Sequence, residues 1–231
     1  MSDARRIFEV LLVFAAFFLP GYLAQPAAAA MARSDLTPVM LQVVASAIPQ
    51  VLLMVYIVSI QSDGAAGLWG LAPLRGGDAA RITVLVAVCF GLVAALTGLL
   101  RILPPAWGPQ LYRGYRWGLE RPSQAPLALL FGLTSGYREE FFFRAYLLRR
   151  LGQAGLPAWA AVALSTALFS VGHLYEGVLG VAVTAALGIV FSLVYLRRQN
   201  LHVIALSHGL YNTLALCAAL LGPLGRGITA L

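Results

Sequence analysis

Lysine is absent from the 231-residue sequence, and charged residues of all kinds make up only 11% of it. With 60% hydrophobic residues and a mean hydropathy of +0.83, too little polar surface remains to cover a water-solvated globule, which excludes a single soluble core. Cysteine is nearly absent too. Cys89 and Cys217 lie far apart inside apolar runs with no C-x-x-C spacing, which fits buried structural thiols and excludes a disulfide framework. All sixteen basic residues are arginine and the net charge is +7, but they fall mostly at the ends of apolar runs. No polar segment is long enough to gather them on one face, so nucleic-acid binding is excluded.

What is present is apolar sequence in lengths of about 20 residues, each sufficient to cross about 30 Å of hydrocarbon. Seven such runs are expected to span: Ile7–Ala30, Pro38–Ile60, Ile82–Leu103, Ala125–Leu148, Pro157–Leu174, Gly177–Leu196 and Leu201–Leu221. The fold class expected is all-α, a polytopic transmembrane helix bundle forming one integral membrane domain over residues 1–231. The first run also has the outline of a cleavable signal peptide, with Arg5 and Arg6 ahead of it and Ala27–Ala30 at its end. Glu9 within the run favours a retained span. Gln61–Arg81, rich in glycine, reads as an interfacial loop. Pro104–Gln124 mixes Trp107, Tyr112, Tyr115 and Trp117 with Arg113, Arg116 and Arg121, and reads as an interfacial amphipathic helix. Arginines 5, 6, 75, 81, 149, 150, 197 and 198 share one side if the amino terminus is cytoplasmic, the orientation expected from positive-inside bias.

Against this background a few polar residues stand out. Glu139 and Glu140 lie within the fourth run, roughly 13 Å of helix from Arg149 and so near mid-depth. Two ionised acids there cost about 5–7 kcal/mol before pairing. Arg144, four residues after Glu140, shares its helix face and can hold it ionised. His208 lies within the last run with Asn212 one turn on, and His173 closes the fifth run one turn after Phe169. Measured from Pro157, His173 sits roughly 24 Å along its helix, deeper than the others unless that helix tilts or enters the membrane late. His202, beside Arg197 and Arg198, reads as an ordinary interfacial ring. Packing alone would use Gly, Ser or Thr, so costly groups on three runs point to convergence on one site.

Two carboxylates, two imidazoles and an amide, with no comparably placed Ser or Cys, suit an activated water rather than a covalent nucleophile. Glu139 or Glu140 would take a proton from water, His173 would orient the water or protonate the leaving amine, and His208 with Asn212 would donate to an oxyanion. Alternatively, Glu140, His173 and His208 offer a divalent ion such as zinc an N,N,O set with one open position, although no H-E-x-x-H enforces it. A membrane transporter or proton relay would use similar groups, and a peptide-binding scaffold would need no chemistry.

Glu139-Glu140-Phe141-Phe142-Phe143-Arg144 fits E-E-x-x-x-R, Phe169-Ser170-Val171-Gly172-His173 fits F-x-x-x-H, and His208-Gly209-Leu210-Tyr211-Asn212 fits H-x-x-x-N. In that order, across a motif-bearing core at residues 125–221, they resemble the CPBP intramembrane protease family of type II CAAX prenyl endopeptidases, bacteriocin-processing and Abi-type proteins. The resemblance implies a membrane endopeptidase acting on a membrane-associated protein, prenylated or not, or on a small peptide. It implies catalytic roles for Glu139, Glu140, Arg144, His173, His208 and Asn212, with Phe169 in support. Both metal-dependent and metal-free glutamate mechanisms are described for the family, so the cofactor is left open. The oligomeric state is open as well, and residues 1–124 carry no motif.

Overall fold

The computed structural model describes residues 3–32, 35–61, 69–100, 102 and 117–221, and every regular element among them is helical. In chain order these are α1 (Asp3–Phe17), α2 (Leu19–Leu23), α3 (Gln25–Ala32), α4 (Leu36–Gln61), α5 (Asp78–Leu100), α6 (Ala125–Glu140), a π-helical segment (Phe141–Leu147), α7 (Leu148–Gln153), α8 (Ala158–Val171), α9 (Gly177–Arg198) and α10 (Leu201–Ala218). Among the described residues four stretches are long and apolar enough to cross a membrane: Leu36–Ile60, Asp78–Leu99, Leu174–Arg198 and Leu201–Leu221. The chain is therefore a multi-pass membrane protein.

The other three expected spans differ, each for a local reason. Ile7–Ala30 is not one straight helix. Pro20 and Pro26 sit in the first turns of α2 and α3, where a missing N–H costs nothing, and they bend the strip. Helical bonds still cross both breaks, from Phe18 N to Phe14 O at 2.9 Å and from Ala28 N to Ala24 O at 2.9 Å. The run at Ala125–Leu148 is continuously helical but carries Arg138, Glu139, Glu140 and Arg144, and it widens into the π-helix directly after the two acids. π-helical turns concentrate at functional sites. The α8 helix has only 14 residues, roughly 21 Å, and stops at Val171, so His173 lies in the turn beyond it. That turn sets His173 on the cavity lined by Glu139, His208 and Asn212.

Glycine decides which helices meet. Gly132 and Gly136 of α6 face Gly209 of α10 so closely that a Cβ on Gly132 would lie 2.4 Å from the Gly209 carbonyl oxygen, and one on Gly136 2.7 Å from the Ala205 carbonyl oxygen. Such small-xxx-small contact is how helices associate in lipid, where hydrophobic burial offers nothing. The α9–α10 turn is fixed by Gln199 at φ +48° and by the Asn200 side chain, which accepts from Val203 N–H at 3.2 Å. Gly70, at φ +74°, approaches that turn and accepts from Leu201 N–H at 2.8 Å. Beside it Trp69 is buried under Arg149 and Arg150, whose guanidinium carbons lie 4.8 and 5.4 Å from its ring, so this end of the expected interfacial loop packs on protein.

Arg33, Arg101, Trp107, Tyr112, Arg113, Tyr115, Arg116 and Arg226 lie outside the described residues, as does most of the expected amphipathic helix. Of that segment, Trp117 stacks on Phe131 and meets Tyr175, and Pro122–Gln124 form a 3-10 turn.

Candidate active site

The α6–α10 contact sets the two motif acids against His208. Oε1 of Glu140 accepts from His208 Nδ1–H at 2.7 Å and from Arg144 Nη1–H at 3.1 Å, with both Glu140 and Arg144 fully buried. A buried pair survives only with good geometry and further partners. Those partners here are aromatic: the Arg144 guanidinium lies 4.3 Å over the Phe169 ring and within 6 Å of Phe143 and Phe191. Arg144 Nε and Nη2 accordingly have no oxygen acceptor among the described residues.

Glu139, one residue earlier and about 100° around the helix, points elsewhere. It borders a cavity of about 740 Å³, together with Arg138, His173, His208 and Asn212. Its Oε1 accepts from Arg138 Nη2–H at 2.9 Å, and its Oε2 lies 3.8 Å from His208 Nε2. One imidazole thus stands between the two carboxylates, with Glu140 behind it and Glu139 on the open side. Because Nδ1–H of His208 donates to the Glu140 carboxylate, the Nε2 edge of the ring is turned to Glu139 and the cavity. The ring is held in place by Phe191, stacked at 5.2 Å.

His173 is oriented by its own turn. Its Nδ1 lies 3.0 Å from the Phe169 carbonyl, which can only accept, so Nδ1 carries the proton and Nε2 of the neutral ring is left as an acceptor. Phe169 meets His173 edge-on at 4.9 Å and His208 at 6.0 Å while lying under Arg144, which explains a phenylalanine at this motif position. The turn is clamped by the amino-terminal strip: Tyr22 OH donates to Leu168 O at 2.7 Å, Gln25 Nε2 donates to Val171 O at 3.1 Å, and Gln25 Oε1 accepts from Tyr175 N–H at 3.2 Å.

The metal alternative fares poorly on donor geometry. The Glu140 carboxylate is already committed to Arg144 and His208, and a cation bound there would face a guanidinium. Among the described residues no three His, Cys, Asp or Glu side chains converge as ligands. Glu140, His173 and His208 are therefore not arranged as a metal-binding triad. His202 stands apart, with Nδ1 2.9 Å from the Tyr137 hydroxyl.

The family model described as type II CAAX prenyl endopeptidase Rce1-like matches residues 121–214. The match covers less than half of the chain, and this segment is similar to that family. The match takes in all three motifs and runs from the turn before α6 to within about one turn of the end of α10. No curated protein and no solved structure matches the chain.

Within the Rce1-like segment, sequence reasoning missed Arg138, which an i,i+1 relation to Glu139 does not suggest, and Ser165, whose hydroxyl donates to Phe143 O in the π-helix at 2.8 Å. It also missed the glycine contact, although G-x-x-x-G at 132–136 is a readable signal. Tyr22 and Gln25 lie outside the segment, and their partners are about 146 residues away, so no local pattern announces them.

Proposed function

We propose that the chain is an intramembrane endopeptidase of CAAX type, hydrolysing a peptide bond of a membrane-associated protein or small peptide by glutamate-activated water. One observation carries the reading. Of the two motif acids, Glu139 borders the cavity beside His173 and His208, while Glu140 is wholly buried and bonded to His208 and Arg144. Glu139 is the base. It takes a proton from water as the water oxygen attacks the carbonyl carbon, and the carbonyl π electrons pass to oxygen. His208 Nε2–H, in the protonated ring, and the Asn212 amide donate to that oxyanion. A donor of this kind is worth about 3 kcal/mol. Collapse of the tetrahedral centre breaks the C–N bond, and the proton held by Glu139 reaches the leaving amine, directly or through Nε2 of His173. Glu140 and Arg144 touch no reacting atom; they position His208.

The amino terminus is cytoplasmic in this reading, and residues 1–231 act as one membrane domain. The test uses purified protein in detergent with a fluorogenic farnesylated C-a-a-X peptide and a panel of unprenylated peptides. Wild type cleaves, Glu139→Ala does not, and Glu140→Gln retains part of the rate. A Glu139→Ala variant as fast as wild type overturns the assignment, and failure to cut any peptide overturns the activity. Cleavage after exhaustive chelation is expected to remain within about twofold of the untreated rate.

A further inference from the structure

The cavity wall includes part of α4, a helix outside the Rce1-like segment. In this apolar helix Gln42, Ser46 and Gln50 recur at i, i+4 and i+8, so they form one row, and all three line the cavity that holds Glu139. Polar side chains are costly in a span facing lipid, which makes a row aligned on the cavity informative. Gln50 is fixed there: Nε2 donates to Phe17 O at 3.2 Å, and its buried Oε1 takes no hydrogen bond from the described residues. Buried acceptors without partners are rare enough to call for one. The Ser46 hydroxyl donates to Val43 O at 3.0 Å, leaving its lone pairs to accept.

Spacing identifies the partner. Residues four apart on a helix are separated by about 6 Å along the axis. Backbone groups on one edge of an extended peptide repeat every two residues, about 6.6 Å. Row and strand are nearly commensurate over the roughly 12 Å from Gln42 to Gln50, about four peptide residues. A helical ligand would place its backbone polar groups in its own interior and could not use such a row. We propose that Gln42, Ser46 and Gln50 form a track that binds the backbone of the substrate in extended form and feeds it to Glu139. The inference rests on the endopeptidase reading and adds to it that the segment bound must be unfolded and is recognised by its main chain, with little dependence on side-chain identity.

The test separates the two claims by measuring binding without turnover. A fluorescein-labelled peptide ending in a farnesylated C-a-a-X tail is titrated against Glu139→Gln protein in detergent, and an ester then replaces each backbone amide in turn. Affinity losses of about fivefold are expected at alternate positions only, the size of one lost neutral hydrogen bond. Adding Gln42→Leu, Ser46→Ala and Gln50→Leu is expected to weaken binding more than tenfold and to erase the alternation. In the wild-type background the same three changes raise KM and leave kcat within about twofold. Because Gln50 also holds Phe17, Gln42→Leu alone, at an exposed side chain, provides a variant with no hydrogen bond to lose among the described residues, and Ser59→Ala on another face of α4 is the control. A flat ester scan, no binding of the peptide, or triple-variant binding within twofold of its parent overturns the track. If alternation is found but wild type cuts nothing, the track stands and the protease reading falls.

Discussion

The span Leu36–Ile60 buries 22% of its apolar window against the rest of the protein, whereas Leu201–Leu221 buries 50%. Both are apolar, and lipid rewards neither for burial. The difference lies in what each helix carries. The second holds His208, Gly209, Asn212 and Thr213, groups that need a protein partner or permit a close one. Thr213 Oγ1 bonds Gly209 O at 2.8 Å, and Gly209 touches the α6 backbone. The α4 helix keeps most of its surface for lipid and turns one polar row inward. In this chain the central helices are those with something to satisfy, and the peripheral ones lend a wall to the cavity.

Mutations can break that contrast. The largest effect is expected at Glu139: under the proposed mechanism, in which this cavity-facing carboxylate is the base, Glu139→Gln lowers kcat by roughly 10⁴-fold with unfolding in detergent unchanged. Arg144→Met comes next. It strands the buried Glu140 charge and is expected to cost about 3–5 kcal/mol of stability, which Glu140→Gln in the same chain partly restores. Denaturant titration of both variants measures this, and equal stability of single and double variants would show that the pair is not coupled.

Gly136→Ala forces α6 off α10, and an expected loss of about 1–3 kcal/mol should be accompanied by slower turnover as Glu140 leaves His208. Tyr22→Phe removes the clamp on Leu168 O across the boundary between the two regions. It is expected to cost about 1 kcal/mol and to reduce kcat more than it changes KM, which a steady-state comparison detects. The smallest effect is expected at Gly91 of α5, where an added Cβ meets nothing within 4 Å, so that Gly91→Ala leaves thermal stability unchanged or raised by about 0.5–1 kcal/mol. A large loss at Gly91 would dissolve the distinction between centre and periphery.

The candidate site was legible because each of its members violates the rule of the solvent. Glu139, Glu140, Arg144, His173, His208 and Asn212 stand out wherever a charge or a strong hydrogen-bonding group is expensive, and the structure brings all six into one neighbourhood. Their division of labour was not legible. Glu139 and Glu140 are adjacent and identical in composition terms, and only the α6–α10 contact turns one to the cavity and the other to Arg144. The seven-span count is not confirmed: among the described residues four stretches are long and apolar enough to cross a membrane, Pro20 and Pro26 interrupt Ile7–Ala30, and α8 ends after 14 residues, just before Gly172 and His173.

Composition determined that lipid is the solvent, apolar runs of about 20 residues pointed to helices whose backbone groups are satisfied within the segment, and the scarce polar residues picked out the candidate site. Tertiary structure decided which glutamate meets the cavity, which proton each histidine carries, and that the amino-terminal strip clamps the His173 turn. Those outcomes depend on contacts between residues as far apart as Gln25 and Tyr175, set by glycine-scale approaches and single hydrogen bonds that no local pattern in the chain encodes.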